Sequence, residues 1–235
     1  MPDLTKRERT AIEAVAQQFS ATWEPGRRPP DAYLMFSGKP VAVNVTTLKR
    51  RRTGQSNAKP HLRFDKVATR LMDRLRTSLA ETVPEGMTVL LSVTAPIRLP
   101  SKTAASLEDN IKTLLARRSP GRDHKDTIHG NRVHIRFLKH ESDRAPKTIG
   151  FVHNPASDPL LLFNMTRELL DELLRYQAGR RAPGLAGDRC LIAISAEGIS
   201  CLEAYRYIYS QLRMATGFSK MFMVFGDGRV GTLTG

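Results

Sequence analysis

The chain has 235 residues, with 37 Lys and Arg against 23 Asp and Glu, which gives a formal net charge of +14 at pH 7. A chain this basic is expected to be drawn to polyanions, and nucleic acid, either DNA or RNA, is the partner that we expect. No segment is long and apolar enough to cross a bilayer, and the charged N-terminal residues are unlike a secretory signal. We therefore expect a cytoplasmic protein with no membrane partner.

The first predicted element is a helix that carries an apolar stripe at helical spacing, with Glu8 in the middle of that stripe. A carboxylate on a buried face needs a partner, because an unpaired buried charge is costly. The segment from Thr5 to Glu8 has the pattern of a capping box, in which the glutamate returns to the N-cap amide. We favour this capping role for Glu8 and keep a role in a metal site as the alternative.

A hairpin is predicted next, from strands Asp31 to Ser37 and Pro40 to Leu48. The intervening Ser37-Gly38-Lys39-Pro40 has glycine at the first central position, as a type II′ turn requires. Pairing Ser37 with Pro40 then sets Asp31 opposite Thr46.

Side chains alternate between the two faces of a strand, so the valines of the second strand share the core face. The opposite face is predicted to bring together three polar side chains: Asp31, Asn44 and Thr46.

The motif Pro30-Asp31, followed after twelve residues by Asn44-Val45-Thr46, resembles that of the PD-(D/E)XK nuclease superfamily. In that family an aspartate opens one strand and Glu-x-Lys follows on the next. The resemblance implies a restriction-endonuclease-like core of a helix, a hairpin and further strands and helices. It also implies homodimer formation, and a Mg²⁺ site to which Asp31 and Glu8 would contribute.

The two departures from the motif bear directly on activity. Asn44 has no negative charge to offer a cation, and Thr46 has no ammonium group to orient water or stabilise a phosphate. The resemblance therefore implies a degenerate and inactive centre, unless Lys66 on the following helix supplies the missing lysine. A simpler alternative is that Asn44 and Thr46 are ordinary polar residues on a solvated strand.

A basic run follows the hairpin, within a stretch from Ala32 to Phe64 that has no acidic residue. Such residues give affinity for phosphates without sequence preference. The alternative is a solvated basic loop. The predicted nucleic-acid-binding residues are Lys49, Arg50, Arg51, Arg52, Lys59 and Arg63.

The remaining elements alternate between helices and apolar strands, which predicts a mixed α/β (α+β) fold with a mixed central β-sheet flanked by helices. We expect a single domain over residues 1–235, with a basic insertion at about residues 96–150. The predicted elements are a helix at 62–81, a strand at 87–94, a helix at 106–118, strands at 133–138 and 148–152, a helix at 166–176, a strand at 189–195, a helix at 200–213 and strands at 221–225 and 229–233.

Three histidines at intervals of five residues lie within the predicted insertion: His124, His129 and His134. An interval of five suits neither one face of a helix nor one face of a strand, so the three rings are not expected to converge on a metal ion. We expect a flexible, basic loop that attracts phosphate.

Three functions follow from these observations. The first is a nucleic-acid-binding protein on a nuclease-like scaffold, with an inactive centre and no cofactor. The second is an active Mg²⁺-dependent endonuclease that uses Asp31, Glu8 and a relocated Lys66 to hydrolyse phosphodiesters. The third is a non-enzymatic protein-interaction domain.

Overall fold

The computed structural model describes residues 4–27, 29–48, 60–117, 123–142, 144–178, 188–214 and 216–233. In chain order these residues form α1 (Lys6–Gln18), β1 (Thr22–Pro25), β2 (Ala32–Phe36), β3 (Lys39–Thr47), α2 (Lys66–Leu79), β4 (Met87–Thr94), α3 (Pro100–Ala116), β5 (His124–Ile128), β6 (Asn131–Lys139), β7 (Thr148–His153), α4 (Pro159–Ala178), β8 (Arg189–Ile194), α5 (Leu202–Leu212), β9 (Lys220–Val224) and β10 (Val230–Thr232).

The chain divides into two compact units, each with its own sheet. The first unit comprises Met1–Arg51, Asp171–Tyr209 and Ala215–Gly235, and the second comprises Arg52–Leu170 and Ser210–Met214. Both sheets contain parallel and antiparallel pairs. The predicted mixed α/β class is therefore confirmed, although the strands form two sheets instead of one central sheet. The single domain over residues 1–235 stays a prediction.

In the described part of the first unit, six strands form a sheet in the order β1-β2-β3-β8-β9-β10. The first three strands form an antiparallel meander, and β3, β8 and β9 run parallel to one another. Helix α1 packs on one face of this sheet, because its Ile12 and Val15 share an apolar core with Val41, Val43 and Val45. The predicted core face of β3 is thus confirmed.

The hairpin differs from the prediction by two residues. Phe36 pairs with Lys39, so the loop is Ser37-Gly38, and both of these residues have positive φ, 48° and 78°. This is the pattern of a type I′ turn, and the predicted type II′ turn is wrong. The shift by an even number leaves every side chain on its predicted face. Asn44 and Thr46 therefore do lie on the face opposite the valines.

The described part of the second unit contains a four-stranded sheet in the order β5-β6-β4-β7. Helices α2 and α3 cover one face, where Leu75, Leu107 and Ile111 are fully buried. The sequence predicts three of these four strands, with β4 at the predicted bounds, whereas α3 begins six residues before its prediction.

The predicted flexible loop that contains His124 and His129 is wrong, because residues 124–139 form the β5–β6 hairpin. His129 and Gly130 make its tight turn with φ values of 50° and 77°. Histidine tolerates positive φ better than most residues, so the turn fits the sequence.

Candidate functional site

The face of β3 opposite α1 carries Asn44 and Thr46, which are only 7% and 5% exposed. The alternative of ordinary polar residues on a solvated strand is therefore wrong. Buried polar groups need hydrogen-bond partners, and both residues have them within the first unit.

Thr46 is held by two side chains of α4. Its hydroxyl donates to Glu172 Oε2 at 2.8 Å, and the Arg175 guanidinium donates to the same hydroxyl oxygen at 2.9 Å. Glu172 and Arg175 also form an ion pair. Glu172 is 8% exposed, so its carboxylate depends on these two donors for compensation of its charge.

Asn44 is bound from the neighbouring parallel strand. Arg189, the first residue of β8, donates to Asn44 Oδ1 at 3.0 Å. The guanidinium carbon of Arg189 lies 5.1 Å from the centre of the Phe218 ring, a cation–π distance.

Asp31 lies just before β2, with its Oδ2 accepting a hydrogen bond from the Val45 backbone N–H at 2.7 Å. The hydroxyl of Tyr176 donates to the Val45 carbonyl at 3.3 Å. Burial, with smaller contributions from the charges of Asp31 and Glu172, raises the pKa of Tyr176 to about 12. Tyr176 is therefore a neutral hydrogen-bond donor at neutral pH.

These contacts define what we call the polar network, which lies wholly within the first unit. Its members are Asp31, Asn44, Thr46, Glu172, Arg175, Tyr176 and Arg189.

Two of the predicted catalytic residues, Glu8 and Lys66, are not members of the polar network. Glu8 is the N3 residue of a capping box on α1, where its carboxylate accepts from the Thr5 N–H at 2.8 Å. The predicted capping role is confirmed, and α1 packs on the sheet face opposite to that of Thr46. Lys66 is the exposed first residue of α2 and belongs to the second unit. Asp31, Asn44 and Thr46 thus each make hydrogen bonds along β3, and neither Glu8 nor Lys66 is among their partners.

Most of the predicted nucleic-acid-binding residues lie outside the described residues: Lys49, Arg50, Arg51, Arg52 and Lys59. Arg63 is described, is exposed and forms an ion pair with Asp65 at 3.3 Å.

A Mg²⁺ site of the kind implied by the resemblance needs oxygen ligands that are available to the ion. The side-chain oxygens of Asp31, Asn44 and Glu172 already accept hydrogen bonds from the protein, and Arg175 and Arg189 bring positive charge to two of these groups. Among the described residues, no group of three His, Cys, Asp or Glu side chains could hold a metal. The polar network does not fit a divalent cation.

The sequence reasoning missed the contribution of α4, although a signal was present. Glu172 lies on the same face of α4 as the buried residues Leu169 and Leu173. It is thus a carboxylate within an apolar stripe, as Glu8 is in α1. The rule that a carboxylate on an apolar face needs a partner would have singled out Glu172 too. Arg175 follows at i+3, the spacing of an ion pair on a helix.

Comparisons of the chain with protein-family models, with curated proteins and with solved structures each gave no match. Among the described residues, no helix has both the length and the apolar content that a membrane span requires.

The turn that leads into Asp31 yields a stability prediction. The Gly26 N–H donates to the Asp31 carbonyl at 3.0 Å, and a Cβ at Gly26 would lie 2.2 Å from the carbonyl oxygen of Pro30. We expect Gly26→Ala to lower the free energy of unfolding by about 1–3 kcal/mol, because backbone has to move. The matched control is Gly198→Ala, where the nearest atom is 3.7 Å away. Equal urea midpoints for the two variants would contradict this interpretation.

Proposed function

We propose that this chain is a nucleic-acid-binding protein on a scaffold like that of the PD-(D/E)XK nucleases, with the polar network in place of a hydrolytic centre. The observation that carries the proposal is the position of Thr46, whose hydroxyl lies between Glu172 and Arg175. Thr46 stands where the resembled motif has its lysine, and Asn44 stands where it has its acid.

The order of elements supports the scaffold part of the proposal. Helix α1 and the short strand β1 are followed by the β2–β3 hairpin, with Asp31 just before β2 and both altered motif residues inside β3. Parallel strands connected through helices then extend the same sheet. This succession of a helix, a hairpin, and then strands and helices is the one that the resemblance implies.

The charge of the chain supports nucleic acid as the partner. A net charge of +14 on 235 residues attracts polyanions, and contacts from Lys and Arg to phosphates supply sequence-independent affinity.

The chemistry of the polar network argues against hydrolysis. The Arg175 guanidinium has only donor groups and is engaged by Thr46 and Glu172, so it offers no acceptor for a proton. Glu172 is engaged by Thr46 and Arg175, and freeing it to bind a ligand would leave a buried carboxylate without compensation.

An active nuclease is the second candidate, and one observation favours it. Glu172 and Arg175 are an acid and a cation that a helix brings to the altered motif positions. Members of the resembled superfamily move parts of their site onto a nearby helix in this way. Under this candidate, Asp31 and Glu172 would both be needed for cleavage.

The binding proposal is tested with fluorescein-labelled DNA and RNA, single-stranded and duplex, by fluorescence anisotropy. We expect the variant with Lys49, Arg50, Arg51 and Arg52 changed to Ala to bind at least ten times more weakly than the native chain, because it loses phosphate contacts. The matched control changes four exposed basic residues, Lys6, Arg9, Arg70 and Lys102, to Ala and has the same net charge.

A general effect of charge would weaken both variants equally and would contradict the assignment of the basic run. If the native chain binds none of these polymers, the proposal is overturned. The remaining function is then that of a protein-interaction domain.

A further inference from the structure

A pocket of about 570 Å³ opens on the sheet of the second unit, on the face away from α2 and α3. All of its lining residues belong to that unit. Its polar lining includes Ser92, Thr94, Lys125, Arg132, His134 and His153.

The register of the strands brings these side chains together. His134 on β6 pairs with Ser92 on β4 and with Lys125 on β5, so the three side chains form one row across the sheet. Thr94 pairs with His153 on β7 in the next row. The intervening residues of β4 and β6 point into the apolar core, as alternation requires.

His134 is the most informative of these residues. It is 4% exposed, and neither ring nitrogen has a hydrogen-bond partner among the described residues. The nearest acid is Asp123, whose Oδ1 lies 3.7 Å from Nε2, beyond hydrogen-bond distance, and that carboxylate is engaged by Arg136. A buried nitrogen without a partner costs free energy, so a ligand that supplies one is favoured.

The pocket also carries two positively charged side chains, Lys125 and Arg132. Among the described residues, Lys125 and Arg132 take part in no ion pair. Asp126 contributes to the lining, but its carboxylate accepts from Asn110 and from the Thr127 N–H. Asp126 pairs with Val133, a core residue, which places its side chain on the other face of the sheet.

We propose that this pocket binds a small molecule through its phosphate group, with Lys125 and Arg132 supplying charge and His134, Ser92 and Thr94 supplying hydrogen bonds. The volume of the pocket falls within the range of small-molecule sites and suits a ligand the size of a nucleotide or sugar phosphate.

His134 contributes as a neutral donor. Burial is the main cause that lowers the pKa of both His134 and His153, so both rings are uncharged at neutral pH and each has one N–H. The N–H of His153 is at Nδ1 and is donated to the Asn154 carbonyl oxygen at 2.9 Å, so the donor offered to a ligand is that of His134. A phosphate has only acceptor oxygens to satisfy, and it therefore matches a site composed of N–H and O–H donors.

The first experiment uses inorganic phosphate, which carries the proposed group and nothing else. Thermal unfolding of the full chain is measured in phosphate, in sulfate and in chloride at equal ionic strength. We expect phosphate to raise the melting temperature, and Arg132→Ala and Lys125→Ala each to reduce that rise. The controls Arg70→Ala and Lys102→Ala remove an equal charge from exposed helical positions of the same unit and should leave the rise unchanged.

The second experiment is calorimetry with AMP and ribose 5-phosphate, each compared with its phosphate-free counterpart, adenosine or ribose. At least one phosphorylated probe should bind, and Arg132→Ala should weaken it about ten-fold or more, because a charge-assisted hydrogen bond is lost. His134→Gln is the further variant, provided that its circular dichroism matches the native chain. Equal binding of adenosine and AMP, or equal affinity in Arg132→Ala and Arg70→Ala, would overturn the proposal, as would no response to phosphate.

A competing oligonucleotide tests whether the phosphate belongs to a free small molecule. An oligonucleotide that displaces the bound probe would identify a nucleic-acid strand as the source and overturn the assignment of a small molecule, and an oligonucleotide that does not displace it supports that assignment. This inference stands apart from the proposed function, because the four-residue variant of the basic run leaves Lys125 and Arg132 in place. Loss of polymer binding in that variant with an unchanged response to phosphate would separate the two sites.

Discussion

Raising the salt concentration from 50 mM to 200 mM is expected to weaken the binding of duplex DNA by about 10³-fold. The six basic residues predicted to bind nucleic acid could neutralise about six phosphates, and each neutralised phosphate releases condensed counterions. The slope of the logarithm of affinity against the logarithm of salt concentration should then be about −5 for duplex DNA and about −4 for single strands.

Anisotropy titrations at four or more salt concentrations measure both slopes. The variant that lacks Lys49, Arg50, Arg51 and Arg52 should have a slope smaller in magnitude by about 4 on duplex DNA. A flat dependence on salt would show that phosphate contacts do not dominate, and the expectation drawn from the net charge would then be wrong.

Glu172→Ala is expected to lower the free energy of unfolding by about 2 kcal/mol. The carboxylate is buried and accepts from Thr46 and Arg175, so its removal leaves a buried hydroxyl and a guanidinium without their acceptor. The cost stays below that of a fully buried pair, because the Arg175 side chain is 60% exposed.

The chain offers a matched control in Glu203→Ala. Glu203 and Arg206 form the same kind of ion pair at i, i+3 on a helix, but the Glu203 side chain is 73% exposed. Exposed pairs contribute little, so this change should cost about 0.5 kcal/mol or less. Urea denaturation of both variants gives the comparison. Similar costs for the two changes would mean that the polar network has no special role in holding α4 against β3.

Local patterns in the sequence are enough to predict the face that each side chain of β3 takes. The alternation of Val41, Val43 and Val45 with polar residues fixes the two faces, and the structure confirms the assignment. The register was missed because Gly38 can occupy either central position of a two-residue turn. Deciding between them depends on whether Ser37 accepts a positive φ, which its residue type disfavours.

The partners of the polar network could not be predicted from local patterns. Glu172 lies 126 residues after Thr46, and Arg189 lies 145 residues after Asn44. Contacts at such separation are set by tertiary packing. Neither the alternation of side chains along a strand nor the residue types of a turn can predict them. Glu8 shows the converse: its partner Thr5 is three residues away, and the capping box is visible in the sequence.

The histidine pattern shows how a correct rule can lead to a wrong structure. An interval of five does prevent three rings from lying on one strand, but a tight turn at His129 divides the segment into two strands. His124 pairs with Ile135, next to His134, and only His134 lines the pocket.

The central claim is that the polar network replaces a hydrolytic centre, and a cleavage assay tests it most directly. Plasmid and single-stranded substrates are incubated with the native chain and Mg²⁺ or Mn²⁺, under conditions in which anisotropy shows binding. We predict binding without cleavage. Cleavage by the native chain that Asp31→Ala and Glu172→Gln abolish, and that Glu203→Gln leaves intact, would contradict the claim and establish an active nuclease.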